Sequence, residues 1–450
     1  MNLRQPVILT DGNPARGIIL FTLPIFAGDF LNTFYLMADA FIVGRWLGID
    51  GLAAVGAGGS LVQFVFSFAI GLTGGFVVIT TQRVGERNQE GIRRSVAAGL
   101  QLSLVSAAIL MIVLLPLAPH ILAAMQTPAQ IIDGTLSFVT ITISGIVVYM
   151  AFFMLSGIIQ AGGNSMIPFL FMIIANICNI ILDIIFIVVF SWGIRGVASA
   201  TLISEFIAAV LCAVYLFRHF RSFLPQKQDW SAGRKELGIH LSLGIAMSLQ
   251  RSIVEVGNIL VQAAVNSLGA VTIAAVSAAQ RVRGLNMLPL FSLSRAVTVY
   301  TAQNYGAKKI DRVHSGIFQS CLISLGLGIF MAVLNQFTGR PIISLFLKDS
   351  LQAVGLANQY ILFTGYTVFI LGIMLVFRSA LQGLGMKTAP ILCGVMETVM
   401  SILAAFVLIP RLGFIGICLV NPLSWIASGI PLYIAFGSMK RKLDTHLTVG

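Results

Sequence analysis

The stretch Leu47-Gly48-Ile49-Asp50-Gly51-Leu52-Ala53-Ala54-Val55-Gly56-Ala57 returns in the second half of the chain as Leu268-Gly269-Ala270-Val271-Thr272-Ile273-Ala274-Ala275-Val276-Ser277-Ala278. Three more pairs follow in order. Thr80-x-Gln82-x-x-Gly85 recurs as Thr301-x-Gln303-x-x-Gly306 at the same offset. Gln160-x-x-Gly163 with Pro168 recurs as Gln382-x-x-Gly385 with Pro390, and Gly193-x-x-Gly196 recurs as Gly413-x-x-Gly416, both at very nearly that offset. Any one of these pairs is weak alone. Four in order, at nearly constant spacing, identify a duplicated half.

The duplicated unit is apolar throughout. Of 450 residues, 57% are hydrophobic and only 10% charged, with a mean hydropathy of +0.95. A soluble chain carries about 25% charged residues, so a water-facing surface of this size cannot be covered. A membrane-spanning helix needs about 20 apolar residues. Twelve apolar runs lie between polar breaks: 17–44, 51–79, 95–118, 131–158, 165–190, 194–217, 239–266, 270–302, 313–337, 352–381, 388–409 and 412–436. Several exceed the minimum, so tilt or kinks are expected. The fold predicted is an all-α integral membrane protein of twelve transmembrane helices, arranged as two pseudo-symmetric six-helix bundles. Six spans is an even number, so both halves enter from the same side as parallel repeats, an arrangement of secondary transporters. The N-terminal lobe is placed at 1–225, a cytoplasmic linker at 226–238 and the C-terminal lobe at 239–450.

Charge gives the orientation. With both termini and every second loop on one side, that side holds eighteen Lys and Arg, against five on the other. The positive-inside rule then puts both termini in the cytoplasm. The formal net charge of +12 is accordingly a topology signal facing anionic lipid, not a nucleic-acid footprint. The first span is too long for a signal-peptide core and is expected to stay as an anchor. The five cysteines all lie in apolar runs without CxxC spacing and the five histidines are scattered, so neither disulfides nor a metal site is expected. No loop exceeds roughly two dozen residues, and Gly383-Leu384-Gly385-Met386-Lys387-Thr388 lacks phosphate-loop spacing. The chain is therefore read as a transporter without enzymatic activity, powered by an ion gradient or by the solute's own.

Carboxylates at bilayer depth are functional candidates by default. Asn32, Tyr35 and Asp39 are spaced three and four apart and share one helix face. Asn176, Asn179 and Asp183 repeat that spacing on the fifth span, and Thr201 lies one turn from Glu205 on the sixth. The repeat maps Asp39 to Leu260 and Asp183 to Ala405, so a coupling site built on these acids belongs to the N-terminal lobe alone. A buried carboxylate pair can hold a proton, or a monovalent cation with help from Asn and Thr oxygens. On the seventh span Arg251, Glu255, Asn258 and Gln262 form another stripe. An intrahelical Arg251–Glu255 pair accounts for it, with a separate solute or ion site as the alternative. Glu397 has no partner at helical spacing, and Arg378 on the preceding span is a candidate mate.

Leu23-Pro24 through Asp39 to Val43-Gly44-Arg45-x-Leu47-Gly48, with Gln280-Arg281, Leu288-Pro289 and Gln303-x-x-Gly306, resembles the multidrug and toxic compound extrusion (MATE) transporters over nearly the whole chain. Asp39 together with Asn179, Asp183 and Thr201 resembles the N-lobe cation site of the DinF-like bacterial and archaeal branch. The resemblance implies export of small amphipathic, often cationic, organic compounds in exchange for H⁺ or Na⁺. Asp39 would be the main switch, with Asn179, Asp183 and Thr201 completing the site. No cofactor beyond the coupling ion is implied. Glu205 departs from the pattern, standing where relatives more often carry an amide, and the tenth span lacks the acid of another branch. A monomer in the inner membrane is expected. The rival functions are a Na⁺-coupled antiporter and a flippase for lipid-linked precursors, whose cationic cavity Arg251, Arg281, Arg283 and Arg295 would have to supply.

Overall fold

The computed structural model describes residue 7 and residues 9–231, 233–347 and 350–448. Arg4, Lys348 and the side chains of Lys440 and Lys442, all counted in the charge comparison, lie outside the described part. Every regular element among the described residues is helical. The long helices are α1 (Pro14–Gly85), α2 (Gln89–Ala124), α3 (Ile132–Ser144), α4 (Ile146–Ala161), α5 (Met166–Asp183), α6 (Ile194–His219) and α7 (Arg234–Asn266). After them come α8 (Ala270–Gly306), α9 (Ile310–Phe346), α10 (Leu351–Gly383), α11 (Thr388–Leu403), the single turn α12 (Ile409–Leu412) and α13 (Phe414–Thr448).

Nine helical stretches among the described residues are long and apolar enough to cross a membrane, and α3 with α4, bent by 45°, make a tenth span. The helix α1 supplies two, because its 72 residues break at Gly48, whose φ of 70° and ψ of −166° only glycine adopts without strain. The twelfth is α8, 37 residues long but made more polar by Arg281, Arg283 and Arg295. The twelve spans expected from the sequence are therefore present. Their outward surface is apolar: Ile112 is 74% exposed and Phe337 73%. In water such a surface would drive aggregation; against lipid tails it is stable.

The duplication is visible in the backbone. Gly48 and Gly269 (φ 70° and 90°), Gly163 and Gly385 (90° and 80°), and Gly193 and Gly413 (59° and 57°) take left-handed conformations at matching places. Arg87 and Lys308 do so as well, at 56° and 57°. Each half also carries a short π-helical segment within the later part of its fifth span, at Ile184–Val189 and Ala404–Leu408.

The chain forms two compact units: Met1–Val7 with Ala27–Ser248, and Ile8–Phe26 with Leu249–Gly450. These differ from the lobes expected on either side of a 226–238 linker. The physical reason is local to the first unit, where the start of α7 packs too closely to separate from α1. A Cβ on Gly75 would lie 2.5 Å from the Gly244 backbone, and one on Gly71 2.5 Å from the Cα of Ser248. Small residues four apart on both helices permit this approach. The Ser248 hydroxyl donates to the Phe68 carbonyl at 2.8 Å.

Nearby, buried His240 is fixed in one tautomer. Its Nδ1 donates to the Glu236 carbonyl (2.9 Å), so Nε2 accepts from Ser95 Oγ (2.8 Å), and Ser95 in turn accepts from Thr80 (2.9 Å). In the second unit Arg312 holds the segment before α1, donating to the carbonyls of Leu9, Asp11 and Gly12 at 2.7–3.1 Å. Lys309 pairs there with Asp11 at 2.8 Å.

Candidate functional site

Three helices of the first unit bring the polar stripes together. The α1 stripe carries Asn32, Tyr35 and Asp39, α5 carries Asn176, Asn179 and Asp183, and α6 carries Thr201, Ser204 and Glu205. Asp183 is completely buried, and Asn179 is 1% exposed. The carboxyls of Asp39 and Asp183 lie within electrostatic reach of each other, and two like charges so placed favour a shared proton or a bound cation.

Asn179 is the bridge. Its amide satisfies both ends when the nitrogen donates to Asp183 Oδ2 at 2.8 Å and Tyr35 Oη at 3.2 Å, while the oxygen accepts from the Thr201 N–H at 3.0 Å. The opposite orientation leaves the nitrogen facing only Thr201 Oγ1 and Ser204 Oγ, both at 3.4 Å, and is the poorer arrangement. Tyr35 lies within electrostatic reach of Asp39, Asp183 and Glu205. Further along the same faces, Asn176 donates to Asn32 Oδ1 at 3.5 Å. Asp39 Oδ1, Asp183 Oδ1 and Glu205 Oε2 are buried without a hydrogen-bond partner among the described residues. Such acceptors are costly to leave unsatisfied. A proton or a small cation would relieve that cost.

All eight N-lobe candidates thus lie on the three adjoining helices. Ser204 joins them unanticipated, although its place three residues after Thr201 puts it on the same face. Asp183 stands immediately before the π-helical segment. The second unit has a π segment in the matching place without the acid, so the irregular turn belongs to the repeat and the carboxyl to this half.

The α7 stripe falls in the other unit. There Asn258 donates to Glu255 Oε2 at 3.3 Å and Gln262 to Asn266 Oδ1 at 2.9 Å, while Arg251 is exposed on the same helix. Glu397 finds the mate named for it: Arg378 Nη1 lies 3.6 Å from its Oε1, with Cys393 Sγ also 3.6 Å away. This half-buried ion pair neutralises itself, so the two units differ in kind. One holds an acid pair, the other an acid and a base.

The MatE family model matches this chain twice, over residues 24–185 and 246–407. The chain belongs to the MatE family. Its two matches are set apart by the offset of the sequence repeat. Among curated relatives of this MATE protein, the probable multidrug resistance protein YoeA of Bacillus subtilis is 26% identical, covering 93% of this chain and 92% of its own. The probable multidrug resistance protein YpnP of the same organism is also 26% identical, over 84% of each. A solved structure described as the outward-facing conformation of a multidrug resistance MATE family transporter of the MOP superfamily superposes with a TM-score of 0.89, covering 98% of this chain and 99% of that one at 21% identity. The MATE protein is therefore a transporter and not an enzyme.

Because Asn179 touches Tyr35, Asp183 and Thr201 at once, Asn179→Ala is expected to strand a buried carboxylate oxygen. The cost is about 1–3 kcal/mol, read as a lower midpoint in thermal unfolding of the purified protein. An unchanged midpoint would show that the amide does not bridge.

Proposed function

We propose that this MATE protein exports small amphipathic, often cationic, organic compounds across the inner membrane in exchange for protons, by alternating access between its two lobes. The observation that carries the reading is the pair of neighbouring carboxyls Asp39 and Asp183. Their buried Oδ1 atoms have no hydrogen-bond partner among the described residues and so suit the uptake and release of a proton. The names of the B. subtilis relatives support the substrate class. The resemblance of Asp39, Asn179, Asp183 and Thr201 to the DinF-like cation site supports the coupling role. Proton uptake removes a charge, and removing that charge either frees a cationic solute or favours one lobe arrangement. Both termini are assigned to the cytoplasm by the eighteen-to-five split of basic residues. The monomer is the working unit, since one chain carries both halves, and neither a cofactor nor nucleic acid takes part.

The test is dye efflux from proteoliposomes under an imposed ΔpH or ΔpNa. Transport driven by ΔpH alone is the expected result. Transport driven by ΔpNa alone would reassign the same oxygens to sodium. Movement that responds to neither gradient would overturn the coupled mechanism.

A further inference from the structure

Where α6 ends, the chain turns through Arg221–Phe223 and runs on to Gln226, enclosing with α2 a pocket of about 530 Å³. Arg93, Arg218, Arg221 and Gln226 line it, with Phe217 and Leu224 as an apolar wall. The three guanidinium groups are not equivalent. Arg93 donates from Nε to Asp229 Oδ2 at 3.1 Å, and that carboxylate, 1% exposed, also takes the Gln226 N–H at 2.8 Å. Arg93 and Asp229 therefore cancel. Arg221 is held in place by Nε to the Phe217 carbonyl at 3.3 Å. Neither Arg221 nor Arg218 has an acidic partner among the described residues, which leaves two positive charges facing one cavity. Planar guanidinium forks match phosphate oxygens.

A second feature separates a lipid from a soluble anion. Phe206, Val210, Val214 and Phe217 are spaced four, four and three along α6, and they are 55%, 41%, 42% and 61% exposed. They form one continuous apolar face that ends at the pocket. A free phosphate has no use for such a track; an acyl chain does.

We propose that this pocket is a docking site for an anionic phospholipid, with its phosphate on Arg218 and Arg221 and its tails along the Phe206–Phe217 face of α6. The loop concerned lies on the side rich in Lys and Arg, where anionic headgroups concentrate on the cytoplasmic leaflet.

Native mass spectrometry of the delipidated full-length protein in detergent tests this, with phosphatidylglycerol and phosphatidylcholine as probes. Phosphatidylcholine carries the same phosphate but a choline cation that cancels its charge beside two guanidinium groups. Phosphatidylglycerol is therefore expected to bind at least about tenfold more tightly. The double variant R218Q/R221Q is expected to lose that preference, while Phe217→Ala weakens both lipids. Both arginines are exposed and Arg93 is left in place, so an unchanged unfolding midpoint checks the fold, and the comparison of lipids on the unmodified protein stands by itself. Equal binding of the two lipids, or full phosphatidylglycerol binding by R218Q/R221Q, would overturn the proposal. So would displacement of phosphatidylglycerol by millimolar inorganic phosphate, which would assign the pocket to a soluble anion.

Discussion

Asp39→Asn and Asp183→Asn are each expected to abolish gradient-driven export while leaving the protein folded and inserted. Asparagine has the shape of aspartate, and its amide can donate to a neighbouring carboxyl, so the shape of the Asp39–Asp183 cluster survives. What it cannot do is gain or lose a proton or hold a cation by charge. An ion shifts a two-state equilibrium only through its differential affinity for the states, and full reversal takes about 5.5 kcal/mol. The membrane potential contributes about 2.3 kcal/mol per charge per 100 mV, but only to a site that still carries the ion. Dye accumulation in inverted vesicles should fall to the level seen without a gradient. No acid pair in the second unit can substitute, since Leu260 and Ala405 occupy the matching positions. Transport that survives Asp39→Asn would sink the assignment and move attention to Glu255 and Glu205.

Gly75→Leu is expected to be the most disruptive single change outside that cluster. A Cβ there meets the Gly244 backbone at 2.5 Å, closer than van der Waals contact allows, and backbone cannot rotate aside as a side chain can. Overpacking in a core typically costs about 1–3 kcal/mol, and a collision between two helix backbones belongs at the top of that range. Thermal unfolding followed by size-exclusion chromatography should show little folded Gly75→Leu protein at temperatures the parent withstands. Gly284→Ala serves as the control, because nothing lies within 4 Å of its added Cβ. If both variants behaved alike, the close approach of α7 to α1 would not be what holds the first unit together.

Much of this architecture was legible in the residues. The repeated motifs correspond to backbone features, since Gly48, Gly163 and Gly193 and their counterparts Gly269, Gly385 and Gly413 are the left-handed turns that each half requires. The stripes on α1, α5 and α6 were legible because contacts within one helix follow from spacing alone. Contacts between helices do not. Ser204 was overlooked beside Asn179, and the pairing of Arg378 with Glu397, on successive spans, could be named only as a candidate. The bend between α3 and α4 was hidden because Gly145 sits in an unbroken apolar run, read as a single span over 131–158. Hydropathy also said nothing about how the starts of α1 and α7 divide between the compact units, since packing partners leave no periodic trace.

That division has a consequence in time. The segment ending at Phe26 is made before the whole of Ala27–Ser248, yet the unit it packs into continues only from Leu249. At about 5–20 residues per second, it waits on the order of ten seconds or more for its partners. Residues 234–248, which complete the first unit, likewise emerge only after the basic loop has passed. The second unit thus closes on a piece of chain synthesised apart from the rest of it. Premature termination soon after Ser248 would leave the start of α1 in the membrane without the surface it is built to cover.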